Sequence, residues 1–363
     1  MVALKVLAAV AGLVVVLLTV RSAIRAILVP RPLQAHLSRM VFVLVRRLFG
    51  LRAAERHDFA HRDRVMALYA PVALVALLAT WLALIFAGFV AILWALGVTP
   101  LREAVLASGS SLFTLGFARP EGLWATLATF FEAAAGLFLL ALLIAYLPSL
   151  YSAFQRREAG VSKLEVRAGA PPSGVYLIEL AWTVGRMETV HDLWASWEDW
   201  FVDVDESHSS FPALAFFRSP HADESWITAA GAILDGASLY VSSVDVGTRT
   251  PEPEFMIRSG YLCLRHIADF FGLPVEHDPR PTDPISVTPE EFDAAYDRLA
   301  AGGVPMKPDR EAAWRAFAGW RVNYDAALLG LARLTMAPPA PWSSDRVTEA
   351  NIVLPLLRPR RRT

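Results

Sequence analysis

Three stretches of this chain are too long and too apolar for most folds. Residues 2–20 (VALKVLAAVAGLVVVLLTV), 66–97 and 123–149 are almost free of charge. A helix needs about 20 such residues to cross a bilayer core of about 30 Å. Lipid offers no partner to backbone N–H and C=O groups, so an apolar run of this length must satisfy them within itself, as a helix. The 363 residues are 55% hydrophobic, more than a soluble domain of this length requires. The excess lies before residue 155.

Charge orients the spans. Residues 21–65 hold ten Arg and three acids, a net of +7, and residues 155–363 hold 21 Lys and Arg against 29 Asp and Glu, a net of −8. Cytoplasmic loops collect Lys and Arg, so 21–65 is placed inside and the N-terminus outside. The second span then runs outward, 98–122 faces out, and the third returns to Arg156-Arg157. A cleaved signal peptide over residues 2–20 would leave the arginine-rich loop outside, and Arg21 and Arg25 interrupt the place where cleavage would fall. An uncleaved anchor over 1–30 is expected, in a multi-pass protein of the cell (inner) membrane whose C-terminal part is cytoplasmic. Within the basic loop of 31–65, LSRMVFVLVRRLFG (37–50) is too short to span. It reads as an amphipathic helix, either lying at the inner interface or packed on the cytosolic domain.

The stretch between the second and third spans reads differently from a plain loop. VTPLREAVLASGSSLF (98–113) opens with a helix start, Thr99 as cap and Pro100 as first residue, and continues for about three turns. That is too short to cross. TLGFA (114–118) follows, and non-helical backbone at membrane depth survives only inside protein or beside a water-filled cavity. Ser108, Ser110 and Ser111 supply hydroxyls that satisfy backbone groups near such a turn.

SSLFTLGF behind a half-helix and between two spans resembles the pore loop of potassium channels, whose filter reads Thr-Val-Gly-Tyr-Gly and is usually followed by Asp. Here the residues are Thr114, Leu115, Gly116, Phe117, Ala118 and Arg119. The resemblance covers residues 66–155. It implies an all-α membrane protein with three transmembrane helices, a re-entrant pore helix and filter loop, and four copies around one axis. Carbonyls of Thr114 to Phe117, with Ala118 at the outer end, would replace the hydration shell of a permeant K+. The Thr114 hydroxyl would form the innermost site, and the Phe117 ring would pack behind the loop. Two positions depart from the pattern. Ala118 stands where the family has a left-handed glycine, a substitution that costs about 1–2 kcal/mol per residue. Arg119 replaces an acid at the pore mouth, beside Glu121. The alternative is a tight extracellular loop joining a helical hairpin.

Three residues of the third span bear on this. Glu132 is an ionisable group within a span, a functional hypothesis by default. It could pair with Arg119 or Arg102, support the filter with Ser110 and Ser111, or reach water. Gly136 and Pro148 are candidate gating hinges, the proline because it removes a helix hydrogen bond.

Residues 156–172 read as a linker, 173–345 as an all-helical cytosolic domain, and 346–363, ending RPRRRT, as a basic tail near anionic lipid. Helices are expected over 174–202, 223–245, 254–272, 287–303 and 308–336. Trp194, Trp197 and Trp200 share a face. VTPEEFDAAYDRLAAGG (287–303) has Thr288 as N-cap and Gly302-Gly303 as terminator. DVDESHSSF (203–211), with His208, and SPHADES (219–225), with His221, read as solvated acidic loops. Glu188-x-x-His191 is half of a di-metal motif without a second half. The single Cys263 excludes an intramolecular disulfide and a multi-cysteine metal site. No catalytic constellation, phosphate loop or nucleic-acid-binding patch is evident, so no enzyme, metal or organic cofactor is expected. Two functions remain: a homotetrameric cation pore, or a non-conducting membrane-anchored sensor whose helical domain binds a cytosolic partner.

Overall fold

The computed structural model describes residues 2–29, 36–54, 59–187, 190–245, 247 and 250–346. Among these, every named element is a helix, with one isolated bridge between Val244 and Met306. Two compact units are formed: Met1–His57 with Leu68–Tyr151, and Asp58–Ala67 with Ser152–Thr363.

The first unit is built on α1 (Val2–Ile27), α2 (His36–Ala54), α4 (Tyr69–Ala95), α5 (Leu101–Leu112) and the first part of α6 (Leu123–Ala168). Three helices, α1, the 59–95 segment containing α4, and α6, are long and apolar enough to cross a membrane. One face of α1 leaves Leu7, Val10, Leu13, Val14, Leu17 and Leu18 exposed, as a helix in lipid can. Its other face approaches α4 through glycines. A Cβ on Gly12 would sit 2.4 Å from the Gly88 carbonyl oxygen, and one on Gly88 would sit 2.9 Å from the Gly12 carbonyl oxygen. Small residues permit such close crossings where no hydrophobic effect drives helices together. Gly88→Leu therefore drives the two helices apart. We expect it to lower the thermal midpoint of the detergent-purified protein, whereas leucine at exposed Gly50, where a Cβ meets nothing within 4 Å, leaves the midpoint unchanged.

Helix α2 belongs to the first unit and packs on the start of α4. The Tyr69 hydroxyl donates to the Phe42 carbonyl at 3.1 Å, and the Arg46 guanidinium lies 6.0 Å from the Tyr69 ring.

The second unit contains α3 (Phe59–Ala67), the end of α6, and α7 (Gly174–Thr183), α8 (Val190–Ser210), α9 (Trp226–Ser243), α10 (Glu252–Phe270), α11 (Pro289–Ala301), α12 (Arg310–Arg321) and α13 (Asp325–Thr335). Helix α9 is its axis, buried over nearly its whole length. Thr288 caps α11 in a full capping box with Glu291, as the sequence signals. Elsewhere the expected boundaries shift. The 174–202 segment breaks at Val184–Arg186, where Gly185 takes φ 63°. The 308–336 segment breaks at 322–324.

The larger correction concerns the expected linker at 156–172. Helix α6 runs unbroken through Ala168 and is 46 residues long, or about 69 Å at 1.5 Å per residue. More than half of that length exceeds a bilayer core of about 30 Å. Within 156–168, Arg157, Val161 and Leu164 are buried, which a linker would not require. Residues 203–210 are likewise the end of α8 rather than a loop, and His208 is buried. The 346–363 tail, Arg346 excepted, and Glu188 lie outside the described residues.

Candidate functional site

The sequence gives α5 no conventional cap. Pro100, not Thr99, is the N-cap, and no side chain caps the first turn. The 12 residues of α5 span about 18 Å, short of a bilayer core. Helix α5 is held between α4 and α6 by its serines. The Ser108 hydroxyl lies against the Glu132 carboxylate of α6 and, at 3.4 Å, against the Phe86 carbonyl of α4. The Ser111 hydroxyl donates to the Thr129 carbonyl. Gly136 is needed at the crossing, because a Cβ there would come within 2.7 Å of the Leu112 carbonyl oxygen. Gly136 thus serves close packing. Pro148 lies inside the continuous α6, and the division between the two units falls just beyond it, after Tyr151.

The third serine organises the loop. The N–H groups of Leu115 and Gly116 both donate to the Ser110 carbonyl, at 2.8 and 3.3 Å, and that of Thr114 donates to the Ser111 carbonyl at 3.0 Å. The Ala118 N–H donates to the Ser110 hydroxyl at 3.0 Å. A trans peptide is planar, with its C=O opposite its N–H. The carbonyls of Phe113, Thr114, Leu115 and Phe117 are therefore turned away from the end of α5. An extended strand would alternate them. Here the alternation is broken by left-handed residues: Thr114 at φ 55° and Gly116 at φ 74°.

This corrects the expectation for Ala118, whose φ is not positive. The strained residue is Thr114. A β-branched side chain at positive φ is an outlier, costing about 1–2 kcal/mol. Such strain persists only where the surroundings over-determine it, and the amide contacts to Ser110 and Ser111 do so.

The remaining site residues are spread along the loop. Phe113, Leu115 and Phe117 are exposed within one chain, Phe117 by 63%. The Phe117 ring is thus not packed behind the loop by its own chain. Arg119 and Glu121 are exposed. Glu132 is fully buried and turned to Ser108, so it neither pairs with an arginine nor reaches water. Arg102 instead pairs with Glu103 at 3.4 Å. Sequence reasoning missed Thr129 and the Ser108–Glu132 contact. Two polar residues at matching depth in apolar segments were the available signal.

In the second unit, Trp194, Trp197 and Trp200 are buried in the core. His191 lies against the Thr250 hydroxyl at 2.9 Å. Among the described residues, no three His, Cys, Asp or Glu side chains converge to hold a metal ion.

The chain is similar to a Bacillus subtilis (strain 168) protein described as uncharacterized membrane protein YdjJ. The two are 29% identical over 256 residues, 67% of this chain and 71% of the relative. With three apolar helices of spanning length, this agreement decides the class. The chain is an all-α membrane protein. No protein-family model matches it, and no solved structure matches it.

Proposed function

We propose that the chain is one subunit of a homotetrameric pore in the cell membrane, passing potassium ions passively along the 113–118 loop. The observation that carries this reading is the direction of the peptide groups. Four amides of 114–118 turn back to Ser110 and Ser111, which leaves the opposed carbonyls free to replace water around a bare cation. One chain supplies one such row, so an ion path enclosed on all sides needs several copies. The apolar side chains of Phe113, Leu115 and Phe117, exposed in a single chain, gain cover from neighbouring subunits in that assembly. In this reading α5 is re-entrant, the N-terminus lies outside and the second unit is cytoplasmic. Native mass measurement of the protein in lipid nanodiscs tests the assembly. A tetramer is expected, and a monomer contradicts the reading.

Arg119 sets the conductance in this account. Four arginines at about 10 Å raise the energy of an entering cation by about 1.7 kcal/mol in water, which lowers its local concentration about fifteenfold. Arg119→Gln is expected to raise K+ flux by up to that factor at low salt. The gain shrinks at high salt, where screening shortens the reach of the charge. Flux measured across a salt series checks both.

A further inference from the structure

The cytosolic end of α6 is gripped by one short segment. Arg157 is buried, pairs with Glu158 at 2.7 Å, and donates to the carbonyls of Leu214 and Phe217, both at 2.7 Å. His208 stands beside it. Its Nδ1 lies 2.9 Å from the Val204 carbonyl and its Nε2 lies 3.3 Å from Arg157 Nη1. With Nδ1–H given to the carbonyl, Nε2 accepts from Arg157. Burial and the Arg157 charge hold the imidazole well below its usual range, so it stays neutral. The same segment grips α3 through its next residue. Arg218 donates to Asp63 at 2.7 Å, to the Met336 carbonyl at 3.0 Å and to the Thr335 carbonyl at 2.8 Å. Residues 214–218 thus tie together the end of α6 and the helix that leads through Leu68 into α4. Helices α4 and α6 flank residues 96–122, which hold α5 and the loop, in sequence.

Glu224 sits next to this strap. It is 7% exposed and lies between two small cavities, one lined with Glu165 and Ser225, the other with Phe217, Arg218, Ser219 and Thr335. The Glu165 carboxyl on α6, itself exposed, lines the first of these cavities with it and comes within hydrogen-bonding reach. Two carboxylates only accept, so that bond exists only with a proton between them. Oε2 of Glu224 and Oε2 of Glu158 are buried with no donor among the described residues. The charged groups facing Glu224 are Glu165 and Glu158 on α6, His221 on its own loop, and Arg218 across the second cavity. Helices α9 and α13 present it with Trp226, Ala229 and Thr335, none of which titrates.

We infer that residues 214–224 form a proton-operated strap: a proton shared between Glu165 and Glu224 closes the strap on the end of α6, and its loss sets two carboxylates against each other and loosens that grip. Burial, and then Glu165, push Glu224 up to about 7 from an ordinary 4.5. A released Glu224 in water titrates near the lower value. The proton therefore supports closure fully below 4.5, and that support is lost as pH rises through about 7. The strap lies wholly within the second unit, so the inference does not depend on ion conduction. Joined to the pore reading, it is the route by which cytosolic pH reaches the helices around the loop.

Hydrogen exchange of the full-length protein in nanodiscs, read by mass spectrometry and corrected for intrinsic amide rates, tests this. Protection of 152–168 and 212–226 is expected to fall about tenfold from about pH 6 to about pH 8.5, as proton binding to a group shifted from 4.5 to about 7 requires. In Glu224→Gln the amide donates to Glu165 without a proton, so protection stays high and the step vanishes. His221 remains in that variant and its contribution is separated. Glu165→Gln is expected to behave alike. A step that persists in Glu224→Gln, or no step in the wild type, overturns the inference. So does loss of protection along α9 in both variants, since the carboxyls would then hold the fold rather than the strap.

Discussion

Gly116→Val abolishes K+ flux while the protein still assembles: that is the largest functional effect expected of a single substitution here. Gly116 sits at φ 74° with nothing within 4 Å of where a Cβ would stand. The cost is therefore one of backbone and not of space. A branched residue loses about 1–2 kcal/mol in that conformation, and a tetramer incurs it four times, about 4–8 kcal/mol. Each 1.4 kcal/mol is a factor of ten, so the carbonyl arrangement empties. Ala118→Gly makes the contrast. The family resemblance places the left-handed residue at 118, where restoring glycine would raise flux. The structure places it at 114 and 116, so Ala118→Gly is expected to change flux little. Liposome flux from the two variants separates these accounts.

Arg321→Met is expected to unfold the second unit at much lower urea. Arg321 is fully buried and joins four parts of the chain. It pairs with Asp235 on α9 and with Asp325 on α13 at 2.8 Å, and it donates to the Trp342 carbonyl. The Tyr324 hydroxyl donates to Asp235 at 2.8 Å, and the Ser286 hydroxyl to Asp325 at 2.6 Å. Removing the one cation leaves two acids to be neutralised in the interior. Breaking a buried pair in this way costs about 3–5 kcal/mol, a large part of the 5–15 kcal/mol that holds a typical domain together. Asp235→Leu combined with Arg321→Met removes both charges and is expected to recover part of the loss. Urea titration followed by tryptophan fluorescence measures each. An Arg321→Met midpoint within error of wild type would show that the network contributes no net stability.

The membrane helices were legible because an apolar run of that length has only one way to satisfy its backbone. The cap at Thr288 was legible for a similar reason, since capping is a local matter of side chain and adjacent amides. The helical course of 156–168 was not. RREAGVSKLEVRA carries enough charge to read as solvated, and the partners that bury Arg157, Leu214 and Phe217, lie far along the chain. His208 was hidden in the same way, since its neighbours Arg157 and Trp226 come from other elements. At the site, the serines and the Thr114–Phe117 stretch stood out as residue types. Which serine holds which group did not, because Ser110 acts through its own carbonyl as well as its hydroxyl. The move of the left-handed residue from 118 to 114 was also invisible in the residues. It follows from the bonds to α5, and resemblance alone argued against it.

The most direct test is K+ flux into liposomes that hold the purified wild-type protein, compared with Na+ under the same gradient. The account predicts flux that prefers K+, despite Arg119, and that disappears in Gly116→Val. A confirmed tetramer that passes neither ion, with Arg119 intact or replaced by glutamine, would contradict it and would place the function in the second, helical unit.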